Sequence, residues 1–308
     1  MPSLSRRGFL YGAAGLAAAT ALPSSQLARA AVTPAARTAA APLAGAIVTP
    51  GTYNVKSVMK ASSMADGYIG LPLAVTLQKY WIQEAGLSEP APARLKELSA
   101  AGCQFLMAVQ PSKQLSAAEQ SRLASWLAMI KNDGISFRAV LWAECNDGAF
   151  ASPQDWLAYW KYYAPVIQDA GVSCCYDPSC GYKPETALQY FPADPVPDEL
   201  WLDYYATGFR RGARLEDILA TAHSAGLTTV GLGEWGWEAG NPATNPMTMP
   251  WWNEYCEYLI YMADHGHLGL GVIYWGAKHG PYTYNIIYND NDPRIPMIQK
   301  VSQAVAAR

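Results

Sequence analysis

The chain has 308 residues, 51% of them hydrophobic and 15% charged, with a formal net charge of −3. That balance suits a globular protein with a sizeable core. A mildly acidic chain without a basic run argues against nucleic acid or an anionic membrane as partner.

The N-terminus has three parts in order. Ser5-Arg6-Arg7-Gly8-Phe9-Leu10 is followed by a mild apolar stretch to Leu22, and then by Ala28-Arg29-Ala30. A charged start, a short apolar run and an A-x-A site predict a secretory signal over residues 1–30, and the paired Arg suggest the twin-arginine route. The apolar run is too short for a spanning helix. Its removal would delete three Arg and no acid, moving the formal charge from −3 to −6. Residues 31–44, rich in Ala, Pro and Thr, read as a linker. A secreted, soluble, monomeric catalytic domain over residues 45–308 is the expectation.

From there the pattern alternates between short β-prone runs and helical segments. A first strand is predicted near 46–53, a β-prone run at 70–81, a helix at 91–101 and a strand at 103–109. A helix at 116–132 precedes a strand at 136–142, and a helix at 153–169 precedes a strand at 172–176. A weak helix near 184–190, a strand at 199–205 and a helix at 214–225 follow. A strand at 228–232, a helix at 250–264, a last strand at 270–275 and a closing helix at 293–306 complete the chain. Glycines close the helices, and Ser152-Pro153 has the form of a helix start. The strands are apolar without clean alternation, as in a parallel sheet buried on both faces. Eight β/α units in 264 residues predict a (β/α)8 TIM barrel. No glycine-rich nucleotide loop follows any strand, so no cofactor is expected.

Six cysteines lie at 103, 145, 174, 175, 180 and 256; in an exported protein the 174/175/180 cluster is the place to expect a bridge, with the pairing open. The four His lie far from them and lack helical metal spacing, so no metal is expected. Eleven Trp and nineteen Tyr stand beside only six Phe. Rings with a polar handle suit half-apolar, half-wet surfaces such as sugars, and suit a Trp-rich core equally well.

A barrel places its chemistry at the C-terminal ends of its strands. The fourth predicted strand runs into Trp142-Ala143-Glu144-Cys145-Asn146-Asp147-Gly148, and the seventh into Gly233-Glu234-Trp235-Gly236-Trp237. Each presents a single carboxylate flanked by Trp and small residues. Retaining glycosidases need two such groups, about 5–5.5 Å apart, one as nucleophile and one as acid/base. Glu234 and Glu144 are the candidates, since strand ends supply the rigidity that this spacing demands.

The stretches Arg138-Ala139-Val140-Leu141-Trp142-Ala143-Glu144-Cys145-Asn146-Asp147-Gly148 and Gly233-Glu234-Trp235-Gly236 resemble clan A of the glycoside hydrolases. They are most similar to glycoside hydrolase family 26, with its R-P-x-x-H-E-x-N-G-like and E-F/W-G runs. The likeness covers roughly residues 100–280, with Asp177-Pro178 and Leu202-Asp203-Tyr204-Tyr205 in matching places. It departs at Ala143, where family 26 has His and most of the clan has Asn. The resemblance implies an endo-β-mannanase-like hydrolase with Glu144 as acid/base, Glu234 as nucleophile and a polysaccharide or oligosaccharide as partner.

Supporting roles follow the same logic. Tyr205, or its neighbour Tyr204, is expected to hydrogen-bond the nucleophile and help keep it ionised. Trp142, Asn146, Trp235 and Trp275 are the further candidate sugar-binding residues, with Trp237 another possible stacking surface. Arg138 is expected to reach a carboxylate inside the barrel; Asp177, Glu238, Lys278 and His279 are weaker pocket candidates. Two other readings stay open: a carbohydrate-binding barrel without catalysis, supported by Ala143, and a barrel hydrolase or lyase acting on a different bond.

Overall fold

The computed structural model describes residues 43–47, 77–83, 86–87, 91, 93–100, 102–180, 184–212, 215–236, 249–275, 278–279, 282–283 and 293–307. These residues belong to one unit, Ala40–Arg308. The signal and most of the linker expected before it lie outside the described residues.

Eight parallel strands form one sheet: β1 (Leu43–Ile47), β2 (Leu77–Gln83), β3 (Gln104–Gln110), β4 (Phe137–Leu141), β5 (Cys174–Tyr176), β6 (Glu199–Tyr205), β7 (Val230–Gly236) and β8 (Leu268–Trp275). β1 pairs with β8, the rest follow in sequence order, and β1 and β2 lie beside each other at the two ends of that order. The sheet thus closes on itself as a (β/α)8 barrel. The helices are α1 (Ala93–Ala100), α2 (Ala117–Asn132), α3 (Pro153–Asp169), α4 (Pro184–Gln189), α5 (Ala206–Arg210), α6 (Glu216–Ser224), α7 (Met249–Asp264) and α8 (Ile295–Ala306).

Local chemistry sets the helix ends. The Ser116 and Ser152 hydroxyls accept from the N–H groups of Glu119 and Asp155, satisfying donors that the first turn leaves unpaired. Gly134 and Gly171 follow α2 and α3 at φ of 73° and 66°, a region open to glycine without cost.

Four elements stand out against the sequence expectation. β1 starts at Leu43, inside the segment read as linker and ahead of the strand expected at 46–53. β7 extends to Gly236, so Glu234 lies within the strand and not after it. A π-helical turn, Cys145–Ala149, and the short helix α5 follow β4 and β6 directly. Neither carries an apolar period long enough to announce itself.

Alternation divides the core. Leu106, Ala108, Val140, Cys175, Trp201 and Ile273 form a cluster inside the barrel, while intervening strand residues such as Met107, Leu141, Leu202 and Leu232 pack outward under the helices. Trp201 is fully buried and needs Gly231 beside it: a Cβ on that glycine would stand 2.4 Å from the indole. At the N-terminal end of the barrel, Arg138 Nε donates to Glu199 Oε2 at 2.9 Å, and Trp201 Nε1 donates to the same oxygen at 2.8 Å. Arg138 therefore meets a carboxylate as expected, but at the end of the barrel opposite Glu144.

The six cysteines are all buried. The bridge expected in the 174/175/180 cluster is absent. Cys174 and Cys175 are consecutive on β5 and point to opposite faces, one into the outer core and one into the barrel, while Cys180 joins the outer core beyond the strand.

Candidate active site

Glu234 is 7% exposed and owes its orientation to an irregularity in β7. Leu202 pairs with Leu232 but Asp203 pairs with Glu234, so Gly233 is an extra residue. The same slip recurs toward β8, where Leu232 pairs with Val272 and Trp235 with Tyr274. A bulge of this kind reverses the alternation beyond it. Glu234 therefore shares the inner face with Tyr205, and Trp235 turns outward to α7. The phenol of Tyr205 donates to Glu234 Oε2 at 2.5 Å. Of the two tyrosines considered, Tyr205 reaches the carboxylate; Tyr204 is fully buried against Tyr255 and Tyr258.

Glu144 stands at the end of β4 in the left-handed region, at φ 52° and ψ 39°, two residues after Trp142 at φ 61°. Such backbone costs a residue with a Cβ about 1–3 kcal/mol and persists only where the surroundings enforce it. Here the Trp142 N–H donates to Val109 O at 3.0 Å and the Glu144 N–H to Asp177 O at 2.8 Å.

The site is more acidic than two carboxylates would make it. Asp177 and Asp203 are 1% and 0% exposed. Both Oδ1 atoms would lie 2.8 Å from a Cβ placed on Gly233, so the missing side chain of that glycine makes room for them. Asp203 was not singled out from the sequence, although Glu199, Trp201, Asp203 and Tyr205 share one alternating face of β6. Three of these acids, Glu234, Asp203 and Glu144, act on Tyr205. Burial first, then the charges of Glu234 and Asp203, the hydrogen bond to Glu234 and the charge of Glu144 hold its phenol well above the usual tyrosine range.

Several expected sugar contacts are placed elsewhere. Trp235 is fully buried, stacked on Trp252 at 6.0 Å and edge-on to Tyr274 at 5.2 Å, in the layer between β7 and α7. It cannot serve as a platform. Trp142 packs edge-on to Phe150 and Tyr159, with Lys113 Nζ 4.6 Å from its ring centroid, in an aromatic cluster that includes Trp156. Asn146 directs its amide into the protein: Nδ2 donates to Ser179 O at 2.8 Å and Thr186 Oγ1 at 2.9 Å, and Oδ1 accepts from the Ser179 N–H at 2.8 Å. Trp275 ends β8, paired with Ile47 of β1. Trp237, Glu238 and the side chains of Trp275, Lys278 and His279 lie outside the described residues.

No protein-family model matches the chain, and no curated protein matches it in sequence. Solved structures do match in fold. A ruminal GH26 endo-β-1,4-mannanase superposes with a TM-score of 0.54 at 11% identity, covering 85% of this chain and 63% of its own. The exo-β-1,4-mannosidase Op5Man5 of Opitutaceae bacterium strain TAV5 gives 0.54 at 11%, covering 86% and 60%. A fungal β-1,4-galactanase gives 0.53 at 13%, covering 87% of this chain and 100% of its own. This chain thus spans less than two thirds of the mannanase and the mannosidase, and 65% of a further neighbour, ScGas2. At these identities the likeness establishes the (β/α)8 barrel shared with enzymes of this kind.

Proposed function

We propose that the protein is a retaining β-glycosidase, exported by its N-terminal twin-arginine signal, that cleaves a β-linked polysaccharide by double displacement. The observation that carries the reading is the Tyr205–Glu234 hydrogen bond, with Glu144 just past the end of β4 and its charge acting on the same phenol. An oriented, mostly buried carboxylate suits a nucleophile, and a partly exposed one at a strand end suits a group that exchanges protons with leaving group and water.

A carboxylate oxygen of Glu234 attacks the anomeric carbon while the glycosidic C–O bond breaks, and Glu144 gives its proton to the departing oxygen. Water then attacks the glycosyl-enzyme. Glu144 takes the water's proton, and the sugar leaves with its configuration retained and Glu234 free again. β-Mannan is the first substrate to try, because the sequence motifs resemble family 26 and two fold neighbours are named for β-1,4-mannan linkages. β-1,4-Galactan is the second, on the galactanase likeness.

The test is release of reducing sugar from mannan, galactan, xylan and glucan by wild type, Glu234→Ala and Glu144→Ala. The expected result is activity on one polymer, reduced by orders of magnitude in both variants with unchanged melting curves. Most activity surviving in either variant would refute the assignment. Ala143, standing where the family has His, favours a second reading: a barrel that binds sugar without turning it over. Polymer binding with no reducing sugar released by wild type would identify that case.

A further inference from the structure

We propose that Asn146 is a positioning residue for the acid/base carboxylate of Glu144, acting through the peptide of Ser179; this rests on the glycosidase reading. The segment that carries Glu144 needs external support. Trp142 and Glu144 both hold left-handed backbone, and the π-helical turn that follows contains further irregular geometry at Asp147 (φ −98°, ψ 58°). β4 ends at Leu141 and β5 at Tyr176, so the regular ladder between these strands has stopped before the functional residues begin.

Asn146 continues the pairing with a side chain. A carboxamide has the shape and polarity of a peptide, and here it meets both backbone polar groups of Ser179, donating to the carbonyl and accepting from the N–H at 2.8 Å each. The second amide hydrogen goes to Thr186 Oγ1 at 2.9 Å. Both Nδ2 donors and the oxygen are thus engaged, and because Ser179 presents one acceptor and one donor, the amide can sit only one way round.

Ser179 passes the constraint on. It bridges to Asp203 on β6, the Cys180 N–H donates to Asp203 O at 2.9 Å, and the Asp203 N–H donates to Pro178 O at 3.1 Å. Two residues further along β6, Tyr205 donates to Glu234. Residues 177–180 therefore form a spacer tied to the Glu144 turn on one side and the Glu234 support on the other. Asn146 is the side chain that fastens its acid/base side.

The distinguishing experiment uses leaving groups. Phenyl glycosides need a proton from the acid in the first step, whereas 2,4-dinitrophenyl glycosides leave without one. kcat/KM is measured for both aryl β-mannobiosides, and for the galactobioside and cellobioside pairs, with wild type and Asn146→Ala. A displaced acid loses about 100-fold on the phenyl substrate, the scale for a misplaced catalytic group, and changes little on the dinitrophenyl one. Equal losses on both substrates, as expected from a sugar contact or general loosening, would overturn the inference while leaving the glycosidase reading intact. A wild type inactive on aryl glycosides and polymers alike would remove that reading and this inference with it. Should Asn146→Ala fail to fold, Thr186→Val removes the third of Asn146's hydrogen bonds and leaves the two to Ser179; the same split, smaller in size, is expected, and its absence counts against the proposal.

Discussion

Tyr205 and Glu234 sit on adjacent strands, and their 2.5 Å hydrogen bond exists because the register between those strands slips by one residue at Gly233. Without the slip, Glu234 would follow Leu232 to the outer face and Trp235 would point into the barrel. The bulge places the acid inside and the large ring outside at the same time. Glycine fits the bulge because two buried carboxylates, Asp177 and Asp203, lie where a Cβ would go.

Tyr205→Phe keeps the ring and removes the donor. Hydrogen bonds to charged groups contribute about 1.5–3 kcal/mol, so kcat on whichever polymer the wild type cleaves should fall about 10- to 100-fold. Unchanged turnover with an intact fold would show that the hydrogen bond does not support the reaction.

Gly233→Ala forces a methyl carbon to 2.8 Å from Asp177 Oδ1 and Asp203 Oδ1. Overpacking of this kind costs about 1–3 kcal/mol, and the carboxylates and the bulge must shift with it. Lower thermal stability and strongly reduced activity are expected together. Gly269→Ala is the control, since its Cβ would meet only the Thr229 side chain, at 3.3 and 3.7 Å. A Gly233→Ala protein as active as that control would contradict the account of the site.

Trp235→Ala removes a fully buried ring from a stacked pair and should destabilise the fold by about 3–5 kcal/mol, seen as a lower denaturant midpoint. Folded protein at low temperature should still bind the polymer. A selective loss of sugar affinity with unchanged stability would return Trp235 to the role of a sugar platform.

The buried thiols make an alkaline prediction. Burial pushes Cys145, Cys174, Cys175, Cys180 and Cys256 above their ordinary value of 9.0. Above that pH the unfolded chain releases thiol protons that the folded chain keeps, so the folded state binds more protons and stability falls as pH rises. Each thiol contributes about 1.4 kcal/mol per pH unit until its folded pKa is reached. Melting temperature under reducing conditions should therefore drop steeply above pH 9. A flat profile from there to pH 11 would show the thiols are not protected. Thiol reagent should find none of the six in the native protein and all six after denaturation.

The barrel was legible because its signals are local and redundant. β3 and β4 are apolar runs on either side of α2, which Ser116 caps, and β6 is a mostly apolar run; each could be read without knowing its neighbours. β1 was misplaced because a five-residue strand beside an Ala-rich segment carries little pattern of its own. The two candidate catalytic acids were visible as lone carboxylates at the ends of such runs. Asp203 hid inside a strand, where only its alternation with Tyr205 marks it as facing the interior.

By itself, then, the sequence determined the order of the β/α units and marked Glu144 and Glu234 as carboxylates close to the C-terminal ends of β4 and β7, because periodicity, caps and apolar runs act over a few residues. Tertiary structure alone decided which way the side chains turn. The bulge at Gly233 sends Glu234 inward and Trp235 outward, the left-handed backbone at Glu144 re-aims a turn, and Ser179 and Thr186 claim the amide of Asn146 across 33 and 40 residues of chain. Each depends on register, backbone sign or a partner remote in sequence, and none of these leaves a periodic trace.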